Sequence, residues 1–259
     1  MISFPYMTYA ETFEEIFGER DACYLMTDPQ GKVIDSYNER LCSVRRPPCS
    51  TFKIPLVAMA FDSGFFKTMS TSIPWDGKKR SRSSLNQDQT PKSFIDNSVI
   101  WISQRITKSL GAAEVQRYAQ DFSYGNRDSS GDLSNFWLSA GSIRISAKEQ
   151  IDFLRRLWQG KTELSQSSLD LTKKSIAARL SRQDEMIYGK TGTCCIDRDC
   201  MRRPGREFGW FVGVREKKSK TQFFAINFAE KRHFKGYAGP QAKAMAQRLF
   251  KKTDQKHQE

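Results

Sequence analysis

Strand-like runs at both ends of the chain and helical patterns between them predict an α+β fold: one antiparallel sheet built from the two chain ends, with a helical region inserted. Three observations carry this. A hairpin pattern, "ACYLMTDPQGKVIDSYN", lies near the N-terminus. Three strand-like runs, Met186–Gly192, Phe208–Glu216 and Thr221–Phe228, lie near the C-terminus. The middle has 3.6-residue periodicity without βαβ alternation. The 259 residues are read as one α/β-sandwich domain spanning 1–259, with its helical subregion at about 64–180.

In order, Thr8 to Phe17 has helical periodicity and stops at Gly18. The hairpin follows, turning at Asp28-Pro29-Gln30-Gly31. After Pro47 and Pro48 a helix is expected from about Ser50 to Asp62, with Pro55 tolerable near its first turn. Residues 71–91 form a long polar loop. Helices are expected at Ser98–Leu110, Ala112–Phe122, Ala147–Trp158 and Ser165–Leu180. The three C-terminal strands precede an amphipathic helix, Ala238–Lys252, and a charged tail.

Hydrophobic residues at 38% and aromatic ones at 12% exclude a disordered chain. No apolar run approaches the ~20 residues of a membrane span. The N-terminus lacks a basic n-region and an apolar h-region, so the chain is either intracellular or a mature form without its signal peptide. Net charge is +13, with clusters at "GKKRSRSS", "REKKSK" and "KRHFK". Such clusters are usually solvated loops, and without a zinc finger or RNP-like segment no nucleic-acid partner is expected. No feature sets an oligomeric state. Of six cysteines, Cys42 and Cys49 bracket a short loop, and Cys194 and Cys195 lie just before Cys200. The spacing lacks a zinc knuckle, so no metal is expected. Short-loop disulfides Cys42–Cys49 and Cys195–Cys200 are expected in an oxidising compartment, with Cys23 a buried thiol.

The chemistry centres on "CSTFKIP". Residues three apart share a helix face, so Lys53 sits within reach of the Ser50 hydroxyl. A serine hydroxyl needs a base to become a nucleophile. The two histidines, His233 in a basic loop and His257 in the tail, offer little for a Ser-His-Asp triad. A lysine made neutral by burial can replace them. S-x-x-K alone is also what a capped surface helix looks like. The order S-x-x-K, Ser98 in "DNSVIWIS", then Lys190-Thr191-Gly192 is the arrangement paired in serine β-lactamases and penicillin-binding proteins. The lysine and threonine offer a cation and a hydroxyl to a carboxylate, and glycine allows close approach.

With "YGN" (Tyr124, Gly125, Asn126), "FWL" followed by "IRIS", and "GWFVG", the sequence resembles class D (oxacillinase-type) serine β-lactamases from about Cys23 to Phe228. The resemblance implies the serine β-lactamase/penicillin-binding-protein-like fold, a small-molecule β-lactam substrate and a periplasmic home. It makes Ser50 the acylated nucleophile and Lys53 the base, carrying carbon dioxide as a carbamate, with no metal or organic cofactor. Trp137 donates to the carbamate; Ile100 and Leu138 wall it. Ser98 relays a proton, Lys190, Thr191, Gly192 and Thr193 bind substrate, and the Ser50 and Thr193 N–H groups form the oxyanion hole. Tyr124-Gly125-Asn126 is expected to be architectural. The chain departs from the family at Leu56, where asparagine is frequent, at Ile100 in place of valine, and at Pro240, where an arginine usually grips the substrate carboxylate; Arg232, Lys235 or Lys243 are candidate substitutes. The rival readings are a β-lactam sensor that acylates without turnover, a cell-wall peptidase, and a non-enzymatic anion-binding protein.

Overall fold

The computed structural model describes residues 11–179, 184–196, 205–231 and 237–256. The chain opens with α1 (Phe13–Phe17), capped by a reciprocal Thr12–Glu15 box and closed by Gly18. The hairpin of β1 (Asp21–Thr27) and β2 (Val33–Tyr37) turns where the Asp28 carboxylate accepts from the N–H groups of Gln30 and Lys32. A short α2 (Glu39–Cys42) leads to a 3-10 turn at Cys49–Phe52 and then α3 (Lys53–Asp62). The middle of the chain holds α4 (Pro91–Asp96), α5 (Ile100–Asp121), α6 (Ala147–Trp158) and α7 (Gln166–Ile176). It is followed by β3 (Ala177–Arg179), β4 (Glu185–Cys195), β5 (Glu207–Lys217), β6 (Lys220–Ala229) and α8 (Ala238–Lys256).

The strands form one sheet in the order β2-β1-β6-β5-β4-β3, with every neighbouring pair antiparallel. β1 meets β6 with Tyr24 opposite Ile226, so the two chain ends close the sheet as expected. Both faces are covered, and β1 shows why it carries a continuous apolar run. Ala22, Tyr24 and Met26 pack with Phe224, Ile226, Leu249 and Phe250 beneath α8 and α1. Cys23 and Leu25 point the other way, into a core shared with α3, α5, α6 and α7. α3 is buried from Lys53 to Phe61, which fits a helix that is apolar nearly all round. Pro55 is its third residue, where an amide N–H has no intrahelical acceptor to lose.

The helices expected at 98–110 and 112–122 are one span broken at Gly111, whose φ of 79° suits glycine. The helix expected to Leu180 ends at Ile176, and Ala177–Arg179 pairs with β4 instead. α4 lies between the polar loop and the helix expected from Ser98, where no element is expected; its signal is the Thr90 cap followed by Pro91 at the first helical position.

The expected cysteine pairing is corrected. Cys42 is bridged to Cys23, which is buried but is not a thiol, and Cys49 is bridged to Cys194 across 145 residues. Short-loop reasoning fails because the fold brings β1 beside α2 and β4 beside the 3-10 turn. Cys195 is disulfide-bonded as well; Cys200, its expected partner, lies outside the described residues. Among the described residues no helix is long and apolar enough to cross a membrane.

Candidate active site

The turn carrying Ser50 is held from three sides and by a bond within itself. The Cys49 N–H donates to the Trp137 carbonyl at 3.0 Å, and the Trp210 indole N–H donates to the Pro47 carbonyl at 3.0 Å. The Thr51 hydroxyl donates to the Pro48 carbonyl at 2.7 Å. Gln150, from α6, donates to both Thr51 Oγ1 (3.0 Å) and the Tyr124 hydroxyl (3.3 Å). Thr51, Gln150 and Trp210 escape sequence reading, because three distant segments make this network and no local spacing announces it. Two non-glycine residues adopt left-handed backbone beside the chemistry, Cys49 (φ 53°) and Ser98 (φ 54°). Such conformations cost about 1–3 kcal/mol and persist only where the surroundings enforce them.

Lys53 is 1% exposed, and its Nζ lies 3.5 Å from Ser50 Oγ. The Phe94 ring lies beside it, its centroid 5.8 Å from Nζ. Among the described residues no carboxylate pairs with it. Burial, and then repulsion from Lys190, holds its pKa well below the ordinary 10.5 and so favours the neutral amine. Trp137 is buried and stacks on Phe52, one residue before Lys53, with ring centroids 5.9 Å apart. Leu138 packs against the same core. Ile100 opens α5 and is 45% exposed, whereas its neighbour Val99 is buried. Phe94 is a wall of the lysine pocket that sequence reading misses, since it belongs to the unrecognised α4.

β3 pairs with β4 at Met186–Tyr188, so among the described residues the β4 edge opposite β5 has no strand partner from Gly189 to Cys195. There β4 runs against the 3-10 turn: a Cβ on Gly192 would stand 3.0 Å from the Pro48 carbonyl and 3.3 Å from the Thr51 nitrogen. Lys190 is 5% exposed, with Nζ 3.1 Å from the Thr191 carbonyl. Burial, with the charges of Lys243 and Arg82, pushes its pKa down to about 8, and Asp96 opposes them. Asp96 closes α4 and Lys243 lies in α8, so both elements carry charges that act on Lys190. Thr193 Oγ1 accepts from the Gly239 N–H at 2.9 Å, which ties β4 to the first turn of α8. Pro240 lies in that same turn, and Lys243 is one turn further along. Arg232 and Lys235 lie outside the described residues.

Tyr124-Gly125-Asn126 is architectural in its contacts. The Asn126 side chain accepts from the Arg144 N–H and donates to the Ser142 carbonyl. This pins the segment that follows Trp137.

A buried amine driven towards its neutral form against a serine hydroxyl, a second lysine held in a strand, and an open strand edge can together activate a nucleophile beside an anionic, strand-like substrate. Comparison with known proteins agrees with that chemistry. Residues 18–251 match the penicillin binding protein transpeptidase domain. The chain is 31% identical over 219 residues to β-lactamase OXA-1 from Escherichia coli, covering 82% of this chain and 77% of that protein. The regulatory protein BlaR1 from Bacillus licheniformis is 29% identical over 88% of this chain, which spans 36% of that regulator. Among solved structures, a class D β-lactamase from Sebaldella termitidis superposes with a TM-score of 0.83 at 26% identity, covering 92% of this chain and 94% of that one.

Proposed function

The chain belongs to the class D serine β-lactamases, within the penicillin-binding transpeptidase family, and from this premise we propose that it opens β-lactam rings through an acyl-enzyme at Ser50. The observation that supports this most directly is Lys53: buried, without a carboxylate partner among the described residues, and 3.5 Å from the serine hydroxyl. Ser50 Oγ attacks the lactam carbonyl carbon as its proton passes to the base at Lys53. The N–H groups of Ser50 and Thr193 receive the developing oxyanion. The C–N bond then breaks, and the Ser98 hydroxyl relays a proton to the leaving nitrogen. Lys190, Thr191 and Gly192 hold the substrate carboxylate along the open edge of β4.

The lysine site fits a carbamate, because burial favours the unprotonated amine and the neutral form is the one that takes up carbon dioxide. Carbon dioxide bound at Lys53 would supply an anionic base able to activate water for deacylation. Trp137 supplies an indole donor for it, and Ile100 and Leu138 limit water access. Disulfide bonding supports an oxidising compartment, for which we propose the periplasm.

The second reading, a sensor that stays acylated, is favoured by the match to a regulatory protein. Intact-mass spectrometry with a penicillin, followed over time, separates the two. A single adduct that forms and then disappears within seconds, and never forms on Ser50→Ala, is the expected result. An adduct that persists for hours identifies a sensor, and labelling that survives Ser50→Ala removes Ser50 from its role.

A further inference from the structure

The Cys49–Cys194 disulfide joins the two residues that flank the oxyanion donors. Cys49 immediately precedes Ser50, and Cys194 immediately follows Thr193. Their Cα atoms are 6.0 Å apart. The bridge therefore spans the gap between the 3-10 turn and the open edge of β4 at the level where the two N–H groups must converge. Three further observations bear on what it does. Cys49 is in the left-handed region at φ 53°, a conformation that any residue with a Cβ disfavours, so its surroundings must hold it there. At Gly192, two residues before Cys194, the backbone of β4 runs close against Pro48 and Thr51 with no side chain of its own to lock the approach. The second described bridge, Cys23–Cys42, links β1 to α2 in the core and joins neither residue that flanks an oxyanion donor.

We propose that Cys49 and Cys194 are positioning residues. Their bridge fixes the Ser50 and Thr193 N–H groups relative to each other, so that acylation is fast only in the oxidised protein. This rests on the acyl-enzyme reading given above. Oxyanion donors act through fixed geometry, and displacement on the order of 1 Å costs about 100-fold. Without the bridge the turn and the strand remain packed, but their separation is set only by softer contacts.

The test compares two double variants, Cys49→Ala/Cys194→Ala and Cys23→Ala/Cys42→Ala. Two quantities are measured on each: the acylation rate constant with a slowly deacylating β-lactam, and the affinity for a boronic acid, whose tetrahedral adduct places an oxygen in the oxyanion hole. The first variant is expected to lose about 10–100-fold in both, in parallel. The second is expected to keep both within about twofold while its melting temperature falls. A third variant, Cys49→Gly/Cys194→Ala, accepts the left-handed backbone without strain and so keeps the turn foldable. It is expected to remain as slow as the alanine pair. If glycine restores wild-type acylation, backbone conformation and not the bridge is the cause, and the proposal is overturned. Equal losses in the two alanine pairs overturn it too, by showing a general effect of stability. Wild-type oxidised protein that forms no adduct at all defeats the acyl-enzyme reading itself, and this inference with it.

Discussion

Lys53 and Arg215 are both cations buried to 1% exposure, on opposite faces of the same sheet, and their surroundings are opposite in kind. Arg215 donates to Glu185 at 2.6 Å, to both oxygens of Asp254 at 2.9 and 2.7 Å, and to Gln222 at 3.2 Å. Burial pulls its pKa down, but the hydrogen bonds to Asp254 and Glu185 outweigh it and the net shift is upward. It stays charged and ties β5 to β4 and α8. Lys53 has a hydroxyl and an aromatic ring in place of carboxylates, and it is driven towards neutrality. A buried cation with satisfied partners is architecture. One left without them is a reactive amine, and that is the physical signature of the site.

Lys53→Met tests the reactive half. It keeps an unbranched chain of similar length and removes the base, so turnover is expected to fall by about 10²–10⁴-fold. Stability is expected to move the other way. In the unfolded chain the lysine binds a proton below about 10.5, and folding depresses that pKa, so the lysine lowers stability progressively as pH falls from 10.5 towards the folded-state value. The methionine variant should lack this slope. Thermal melts across pH in bicarbonate-free buffer measure it; a variant that is less stable than wild type at neutral pH contradicts the picture of an unpaired amine.

Arg215→Met tests the other half. It leaves Glu185 buried without its partner, and breaking a buried pair from one side costs about 3–5 kcal/mol. Denaturant unfolding should show that loss, while the acylation rate per folded molecule stays near that of wild type. A selective loss of acylation at unchanged stability would erase the distinction between the two cations.

How far each cation could be read from sequence follows from the range of its interactions. Ser50 and Lys53 are neighbours along one helical turn, so their spacing alone brings them together. The two-sided burial of β1, β5 and β6 is visible as continuous apolar runs, and the Ser146–Glu149 capping box marks the start of α6. Arg215 looked like one more member of a basic cluster, because Glu185 is 30 residues away and Asp254 is 39. The disulfides, the Thr51–Gln150–Tyr124 network and the Phe94 wall were invisible for the same reason. β3 has only three residues, too few to show alternation against the end of α7.

A smaller effect is expected at Trp137. If the Lys53 site holds a carbamate anion, its indole N–H is a donor whose loss leaves a buried charge one hydrogen bond short. Trp137→Phe keeps the ring stacked on Phe52 and removes that donor. The deficit is about 1–3 kcal/mol, or roughly 5–150-fold in deacylation. Acylation should change less, and added bicarbonate should restore part of the rate. Equal turnover by wild type and variant after thorough removal of carbon dioxide would show that Lys53 works as a plain amine.

The smallest effect concerns Lys190, which stands between the two extremes: it is buried, but charges near it are only partly compensating. With its pKa at about 8 it is protonated at neutral pH and loses its charge as pH rises through that value. Attraction for a substrate carboxylate should fade with it, so kcat/KM is expected to decline above about pH 8. The neighbours give the sign of each perturbation. Asp96 holds the pKa up, so Asp96→Asn should move the alkaline limb to lower pH; Lys243 pushes it down, so Lys243→Gln should move the limb to higher pH. Asp96 is exposed and already pairs with Lys92, so solvent and that partner weaken its effect and the displacement should be a fraction of a pH unit. The sign is therefore the informative quantity. Profiles of kcat/KM against pH for the two variants should straddle that of wild type. Two shifts in the same direction, or a limb that neither variant moves, would mean that another group titrates there and that Lys190 keeps its charge as Arg215 does.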